Sequence, residues 1–289
     1  MMEASGIHPS GGLEVYALRF ASAETTRSET YLRYGVYKEP DGPQTCDFFF
    51  WVIRKGNKVV LVDTGFTEKL ANTWHVSLDL RIEEGLAVLG IHKDDVSAVV
   101  LTHLHNDHSG NLELFSNAQL YIQRSEYDFW FGPYGRRPLF VDSVESTYLE
   151  NITKANGEGR LELVDGHHYL TEDITLVPAP GHTPGSQAVR VHTPEGALLI
   201  ASDALHYLEE LELDRPFAIC SDVPGMYATF DEFRRQKEEG TVIIPGHDPA
   251  TTAMYQTVWT GEGAACIVDL RKPAADTFRR SDTYQLQKR

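Results

Sequence analysis

Four apolar runs in this chain are each followed closely by histidine or aspartate, and this repetition constrains the fold more than any other feature. Residues 99–101 lead into the hexapeptide His-Leu-His-Asn-Asp-His at 103–108. Three later runs lead to His182, Asp203 and His247. Short apolar runs of this kind predict buried strands. Because sites are usually built on loops at the ends of rigid strands, the pattern predicts a sheet with ligand-type side chains along one edge.

The hexapeptide predicts two adjacent metal ions rather than one. His103 and His105 are two positions apart and would share one side of an extended segment. Asp107 and His108 follow once the chain has turned, so they reach a second point in space. Imidazoles and carboxylates suit zinc, and also iron, manganese or cobalt. The alternative is a polar loop that is merely rich in histidine, and the three distant residues weigh against it.

The run Thr-His-x-His-x-Asp-His at 102–108, with His182, Asp203 and His247, resembles the metallo-β-lactamase superfamily of hydrolases. The resemblance extends over about residues 48–248. It includes Leu-Val-Asp-Thr-Gly at positions 61–65. The intervals between the three distant residues are most similar to those of the N-acyl homoserine lactone lactonases.

The resemblance implies an α/β fold, the αββα sandwich in which two mixed β-sheets are flanked by helices. It implies one metallo-β-lactamase-like domain over residues 1–289, with three additions. These are an N-terminal extension at about 21–47, an aromatic insertion at about 127–160 and a C-terminal tail at about 266–289. The insertion either forms a wall or lid over the site or packs on the core or a second subunit. The tail has few apolar residues, so we expect it to be only partly ordered.

Apolar runs and helical spacing predict individual elements within this fold. Helices are expected at residues 82–89 and 229–237, the second with Thr229 as its N-cap. Strands are expected at residues 12–20, 48–53, 59–62, 96–101, 120–123, 161–164, 174–177, 188–192 and 197–201.

Seven metal ligands in two groups follow from the resemblance. It implies that one divalent ion is held by His103, His105 and His182, that the other is held by Asp107, His108 and His247, and that Asp203 bridges them. Zinc is the first expectation for both ions.

Two ions about 3.5–4 Å apart can share a hydroxide formed from water. That hydroxide would attack a carbonyl polarised by one ion, while the other stabilises the leaving alkoxide of a ring ester. Asp107 would manage the proton released in ring opening. The expected function is therefore hydrolysis of a small lactone, an N-acyl homoserine lactone or a related one, which is a quorum-quenching activity.

Near Asp203 the chain departs from the lactonase pattern. Those enzymes carry a tyrosine three positions after the bridging carboxylate, where its hydroxyl can donate to the substrate carbonyl. Here that position is His206, and Tyr207 follows it. Either residue could act as the donor, or both could simply begin a short helix at the edge of the site. Asp63 is expected to orient a ligating histidine, with an ordinary turn aspartate as the alternative.

Other activities of the same fold remain as alternatives. A thioester hydrolase resembling glyoxalase II would use the same metals, but its expected basic residues have no match near the end of this chain. A zinc β-lactamase is disfavoured by Asp203, where the best-known ones carry cysteine. A mononuclear iron dioxygenase would leave some ligands unused, and a non-catalytic binding protein would more readily lose ligands than keep seven.

Composition narrows the partners and the compartment. The formal net charge of −16 disfavours binding to nucleic acid. No apolar stretch approaches the ~20 residues that cross a bilayer, so no membrane partner is expected. Three widely spaced cysteines and the absence of a visible secretory signal favour the cytoplasm. The aromatic insertion leaves a homodimer as an open possibility.

Overall fold

The structure, a computed structural model, describes residues 11–274 of the chain. Within this range there are thirteen strands and eight α-helices. The strands are β1 (Leu13–Thr26), β2 (Pro43–Lys55), β3 (Lys58–Val62), β4 (Val96–Val100), β5 (Gln119–Gln123), β6 (Leu161–Val164), β7 (His168–Tyr169), β8 (Ile174–Pro178), β9 (Gln187–Thr193), β10 (Gly196–Ser202), β11 (Val242–Pro245), β12 (Tyr255–Thr260) and β13 (Cys266–Pro273).

The helices are α1 (Arg27–Thr30), α2 (Glu68–Trp74), α3 (Ile82–Val88), α4 (Arg124–Phe131), α5 (Ser146–Gly157), α6 (Leu208–Leu213), α7 (Val223–Glu238) and α8 (Ala250–Met254). Single 3₁₀ turns lie at Tyr34–Tyr37, Lys93–Asp95, Leu112–Leu114 and Val141–Ser143. Among the helices that the structure describes, none combines the length and the apolar character needed to cross a bilayer.

The strands form two mixed sheets. The larger sheet has the order β12-β13-β1-β2-β3-β4-β5-β6, and the smaller has the order β11-β10-β9-β8-β7. In the larger sheet β3, β4, β5 and β6 run parallel, whereas β1, β2, β12 and β13 pair antiparallel. In the smaller sheet the neighbouring strands β10 and β11 pair parallel, and the other neighbouring strands pair antiparallel. The α/β fold predicted from the sequence is therefore confirmed.

Strand β2 shows how the layers are stacked. Successive side chains of a strand point to opposite faces of the sheet. Phe49 and Trp51 pack between the two sheets, whereas Phe48 and Phe50 pack under the helices α2 to α5. A separate core joins the outer face of the smaller sheet to α6 and α7. Because both faces of β2 are buried, its sequence is a continuous apolar run rather than an alternating one.

The direction of the strands brings the distant ligand-type residues to one edge. Strands β3 and β4 are parallel, so the segments that follow them leave the larger sheet on the same side. Strands β10 and β11 are parallel as well, and β8 runs in their direction because β9 is antiparallel to both neighbours. Each predicted ligand follows the carboxyl end of one of these strands. All of them therefore lie at the same edge of the two-sheet sandwich.

The tail predicted from Cys266 onward was not expected to contain a strand, but its first part forms one. Residues 266–273 form β13, which lies between β12 and β1 and buries Ile267, Val268 and Leu270. The apolar residues of this segment are few but contiguous, and that suffices for a short strand covered on both sides. The remainder of the predicted tail, residues 275–289, lies outside the described residues.

Two other sequence predictions need correction. The helix expected from residue 229 starts at Val223, with Asp222 as its N-cap and Pro224 in its first turn, where a proline is well tolerated. Thr229 lies inside the helix, and its hydroxyl donates to the Pro180 carbonyl at 2.7 Å. The polar extension at 21–47 begins and ends within a long hairpin, because β1 and β2 remain paired out to Thr26 and Pro43, and residues 27–42 connect the two strands.

Candidate metal centre

The seven predicted ligand residues lie together where the sheets open. They include two groups of three side chains whose potential metal-binding atoms lie within 4.8 Å of one another. We name these the first cluster, made of His103, His105 and His182, and the second cluster, made of Asp107, His108 and His247. In the first cluster, His105 Nδ1 lies 2.8 Å from His182 Nε2.

Asp203 lies between the two clusters and faces both. Its Oδ1 atom lies 3.2 Å from His108 Nε2 and 3.0 Å from His247 Nε2. Its Oδ2 atom is turned towards the first cluster, 3.5 Å from His182 Nε2 and 3.8 Å from His103 Nε2. Ligand atoms around a tetrahedral ion with bonds of about 2.0–2.1 Å lie about 3.4 Å apart. The spacings therefore suit one carboxylate shared by two ions.

In four of the histidines the Nδ1 atom, which points away from the clusters, lies within hydrogen-bond distance of an oxygen atom. The Nδ1 contacts are His103 with the Thr102 hydroxyl at 3.1 Å, His108 with the Asp63 carboxylate at 2.8 Å, His182 with the Ile219 carbonyl at 2.7 Å and His247 with the Asp47 carbonyl at 2.8 Å. An imidazole held in this way keeps a lone pair on Nε2, as metal-ligating histidines require.

Several inward-facing atoms lack any other partner. Within residues 11–274, His103 Nε2, His108 Nε2 and Asp203 Oδ1 are buried and have no hydrogen-bond partner of standard geometry, although Asp203 Oδ1 lies close to two imidazole nitrogens. Buried polar atoms without a partner are rare in folded proteins, since each costs desolvation energy. The donor set and its unpaired atoms therefore fit a pair of divalent ions.

Burial and nearby carboxylates give the two clusters different electrostatics. Burial lowers the pKa of His103 and His182 well below the ordinary value and that of His105 to about 4. In the second cluster burial opposes the charged form of His108 and His247, but Asp203 together with other neighbouring groups, Asp107 and Asp63 at His108 and Cys46 at His247, outweighs burial and raises the pKa of both. The first cluster is therefore neutral by itself, whereas the second cluster lies in an anionic environment.

Asp63 joins two ligand-bearing segments beneath the second cluster, residues 102–108 and 202–203. Its carboxylate accepts from the Thr102 amide and hydroxyl, both at 2.8 Å, from the Ser202 hydroxyl at 3.1 Å and from His108. The predicted contact between Asp63 and a histidine of the hexapeptide is therefore confirmed. Asp63 and Ser202 adopt left-handed backbone conformations, with φ of 62° and 47°, which cost about 1–3 kcal/mol each. The buried hydrogen bonds of Asp63 hold both residues in place.

The close approach of β10 and β11 requires a glycine. A Cβ atom on Gly246 would lie 2.7 Å from the Ser202 carbonyl carbon and 2.9 Å from Asp203 Oδ1. Both separations are shorter than van der Waals contact. Gly246 therefore allows His247 to be placed beside Asp203.

The segment that carries the smaller sheet and both clusters also matches a known family. The model of the metallo-beta-lactamase superfamily matches residues 49–247, more than half of the chain. The chain belongs to the metallo-beta-lactamase superfamily.

Curated relatives within the superfamily are lactonases. The N-acyl homoserine lactonase AttM of Azorhizobium caulinodans is 31% identical over 185 residues, a match that covers 59% of this chain and 66% of that protein. The N-acyl homoserine lactonase AiiA of Bacillus thuringiensis subsp. kurstaki is 27% identical over 204 residues, covering 65% of this chain and 76% of that protein. This chain thus matches slightly less than two thirds of the length of AttM.

Solved structures of the superfamily show the same fold over more of the chain. An N-acyl homoserine lactone hydrolase with N-hexanoyl-L-homoserine bound at its catalytic metal centre gives a TM-score of 0.69 at 21% identity, covering 84% of this chain and 96% of that one. AidC, a dizinc quorum-quenching lactonase, gives a TM-score of 0.67 at 20% identity, covering 93% of this chain and 98% of that one. At these identities the likeness shows the superfamily fold.

The two residues that depart from the lactonase pattern have different surroundings in this superfamily member. His206 is buried, with its Nε2 atom 3.1 Å from Asp203 Oδ2. Tyr207 caps α6, and its hydroxyl donates to the Thr45 carbonyl at 3.1 Å. The hydroxyl of Tyr207 is thus already paired, and His206 is the residue that faces the clusters. Asp248 does not orient a histidine, because its carboxylate accepts from the Leu208 and Ala250 amides.

A buried glutamate that the sequence analysis missed supports the first cluster. Glu126, on α4, accepts from the Leu104 amide, the Gly185 amide, the Thr183 hydroxyl and the Trp130 indole. Leu104 lies between His103 and His105, and Thr183 follows His182, so one carboxylate ties both ligand loops together. Its position in an aromatic segment far from the ligand motifs offers no signal in the sequence.

The aromatic insertion both packs on the core and contacts the centre. Trp130 is buried, and its ring centroid lies 5.5 Å from that of His105. Asn106, between His105 and Asp107, donates to the Asp142 carbonyl and accepts from the Glu145 amide. The insertion therefore forms part of the wall beside both clusters.

Proposed function

We propose that this protein is a dinuclear metal-dependent hydrolase that opens a lactone ring, with N-acyl homoserine lactones as the first substrates to test. The observation that carries the proposal is the placement of Asp203 between two clusters of metal-ligand side chains. The lactonase names of the curated relatives and of the solved neighbours support the same reaction. A hydrolase of this kind would be a quorum-quenching enzyme.

In this proposal each cluster would hold one divalent ion, and Asp203 would be a ligand common to both. When bound, the ions supply Lewis acidity and lower the pKa of a bound water to about 7. The dizinc neighbour favours zinc, while the same ligands also suit iron, manganese or cobalt.

Asp107 has the position expected of a proton carrier. It is the least buried of the seven residues, with 15% of its side chain exposed. It also contacts the second cluster, with Oδ2 at 3.4 Å from His108 Nε2 and 3.6 Å from His247 Nε2. We assign to it the uptake of the proton lost by the attacking water and its delivery to the ring oxygen.

Apolar side chains around the centre favour a substrate with an acyl chain. Phe48 packs against His247 with ring centroids 5.3 Å apart, and Trp130 lies beside His105. On the opposite side, Phe217 stacks on the ring of His206, and the side chain of Ile219 is exposed. Binding sites of small molecules are commonly lined by apolar groups around a few polar ones. An acylated lactone matches this distribution.

The test combines metal analysis with a pH-indicator assay on a lactone panel. We expect two metal ions per chain and acid release from N-acyl homoserine lactones, at rates that increase with acyl length. Asp203→Asn, loaded with metal, is the matched control and should be inactive. Two ions without lactone turnover would contradict lactone hydrolysis and direct the assay to thioesters. One iron per chain would contradict the dinuclear assignment.

A further inference from the structure

His206 adds an eighth ligand-type side chain to the centre. The potential metal-binding atoms of His182, Asp203 and His206 lie within 4.8 Å of one another. His206 Nε2 is buried, lies 3.1 Å from Asp203 Oδ2, and has no hydrogen-bond partner of standard geometry among the described residues. A nitrogen lone pair and a carboxylate oxygen repel each other at this distance unless a proton or a metal ion lies between or beside them.

The surroundings of His206 fix the orientation of its ring. Glu210 Oε1 lies 3.4 Å from His206 Nδ1 and accepts from the His206 and Tyr207 amides at 2.7 and 2.8 Å. Phe217 stacks on the other side, with ring centroids 3.6 Å apart and an angle of 11° between the planes. The backbone of Phe217 forms an isolated antiparallel β-bridge with Tyr31 of the N-terminal extension. The ring therefore has little freedom to turn away from Asp203.

The positions of Glu210 and Asp203 indicate which ring nitrogen of His206 could bind a metal ion. Neither ring nitrogen of His206 has a hydrogen-bond partner of standard geometry among the described residues, and Glu210 lies on the Nδ1 side while Asp203 lies on the Nε2 side. A carboxylate behind a histidine that faces a metal ion is the usual arrangement around metal ligands. Phe217, which is apolar, offers no competing hydrogen-bond partner.

We propose that His206 is an additional ligand of the ion held by the first cluster and that Glu210 is its positioning residue. This inference rests on the proposed two-metal function. The first cluster contains only imidazoles besides the shared Asp203, whereas the second cluster has Asp107 as a carboxylate of its own. His206 shares its group with His182 and Asp203, so it would add an imidazole on the side of the ion that these two residues face.

Metal binding by the holoenzyme and its variants tests the assignment. We would measure metal stoichiometry, the dissociation constant of each ion by competition with a chelator, and the visible spectrum after cobalt substitution. The variants are His206→Ala, His206→Gln and Glu210→Gln, with the exposed His192→Ala as the matched control. His182→Ala and His247→Ala identify the spectral contributions of the first and second clusters.

In both His206 variants we expect one ion to bind at least about tenfold more weakly, with a spectral change that matches His182→Ala and not His247→Ala. Glu210→Gln should weaken the same ion about tenfold, and His192→Ala should change nothing. Glutamine can still donate a hydrogen bond, so unchanged affinities and an unchanged cobalt spectrum in His206→Gln would overturn the assignment and leave His206 a donor. This holds even if His206→Ala fails to fold. A wild-type protein that binds no metal would contradict the proposed function as well.

Discussion

The first and second clusters use similar side chains, but different parts of the chain support them. The second cluster is supported by strands of the larger sheet, because Asp63 directly follows β3 and holds His108, while the Asp47 carbonyl within β2 holds His247. The first cluster depends on Glu126, which comes from the helix α4 just before the predicted aromatic insertion. One half of the centre is thus supported by the sheet, whereas the other is supported by a helix.

The difference in support is matched by a difference in charge. Asp63, Asp107 and Asp203 surround the second cluster, and Asp203 raises the pKa of His108 and His247 against the effect of burial. The histidines of the first cluster are kept neutral by burial. We therefore expect the two ions to differ in affinity and to respond separately to substitutions in their own surroundings.

The largest expected effect is that of a substitution common to both clusters. Asp203→Asn removes the negative charge that faces both, and we expect kcat/KM to fall at least about a thousandfold, or about 4 kcal/mol of transition-state stabilisation. Initial rates on a lactone, with metal content measured on the same sample, check this. Undiminished turnover by a metal-replete variant would contradict the bridging assignment.

Asp63→Asn should affect the second cluster selectively. The variant loses the charge that His108 and Thr102 share, so the affinity of one ion should fall about 10–100-fold, as for other residues that orient metal ligands. Chelator competition measures both ions, and the cobalt spectrum of the first cluster should persist. Equal weakening of the two ions would mean that the clusters share their support.

Glu126→Gln should affect the first cluster with a smaller loss. The amide keeps the size of the side chain but turns an N–H group towards donors that now lack an acceptor, at a cost of about 1–3 kcal/mol in the free energy of unfolding. We expect one ion to bind about tenfold more weakly, with the second cluster intact. Urea unfolding and chelator competition give the two values. A loss of metal affinity confined to the second cluster would contradict the assignment of Glu126 as a support of the first cluster.

Tyr207→Phe should have the smallest effect, because its hydroxyl belongs to neither cluster. The variant loses one hydrogen bond to the Thr45 carbonyl, worth about 1 kcal/mol of stability. Both metal affinities should be unchanged, and kcat should stay within about twofold of wild type. A large fall in kcat with unchanged affinities would restore Tyr207 as the donor to the substrate.

Strands and helices were predicted correctly where a short window of the sequence shows their burial pattern. The strands at 161–164 and 174–177 and the helix at 82–89 were located to within a residue or two, because continuous or periodic burial is visible in a short window. The strand β13, which lies within the predicted tail, was not expected, because it is stabilised by strands far away in the sequence. The start of α7 was missed because its N-cap and proline precede the apolar residues.

The sequence alone determined which residues can bind metal and that they follow strands, because ligand chemistry and strand periodicity are properties of short segments. It could not show that Glu126 ties two ligand loops together or that Glu210 and Phe217 orient His206. Nor could it show that the Tyr207 hydroxyl donates a hydrogen bond to the Thr45 carbonyl. Those contacts join residues from separate layers of the fold, and their distances are set by the packing of the sheets, helices and insertion. Only the tertiary structure decided them.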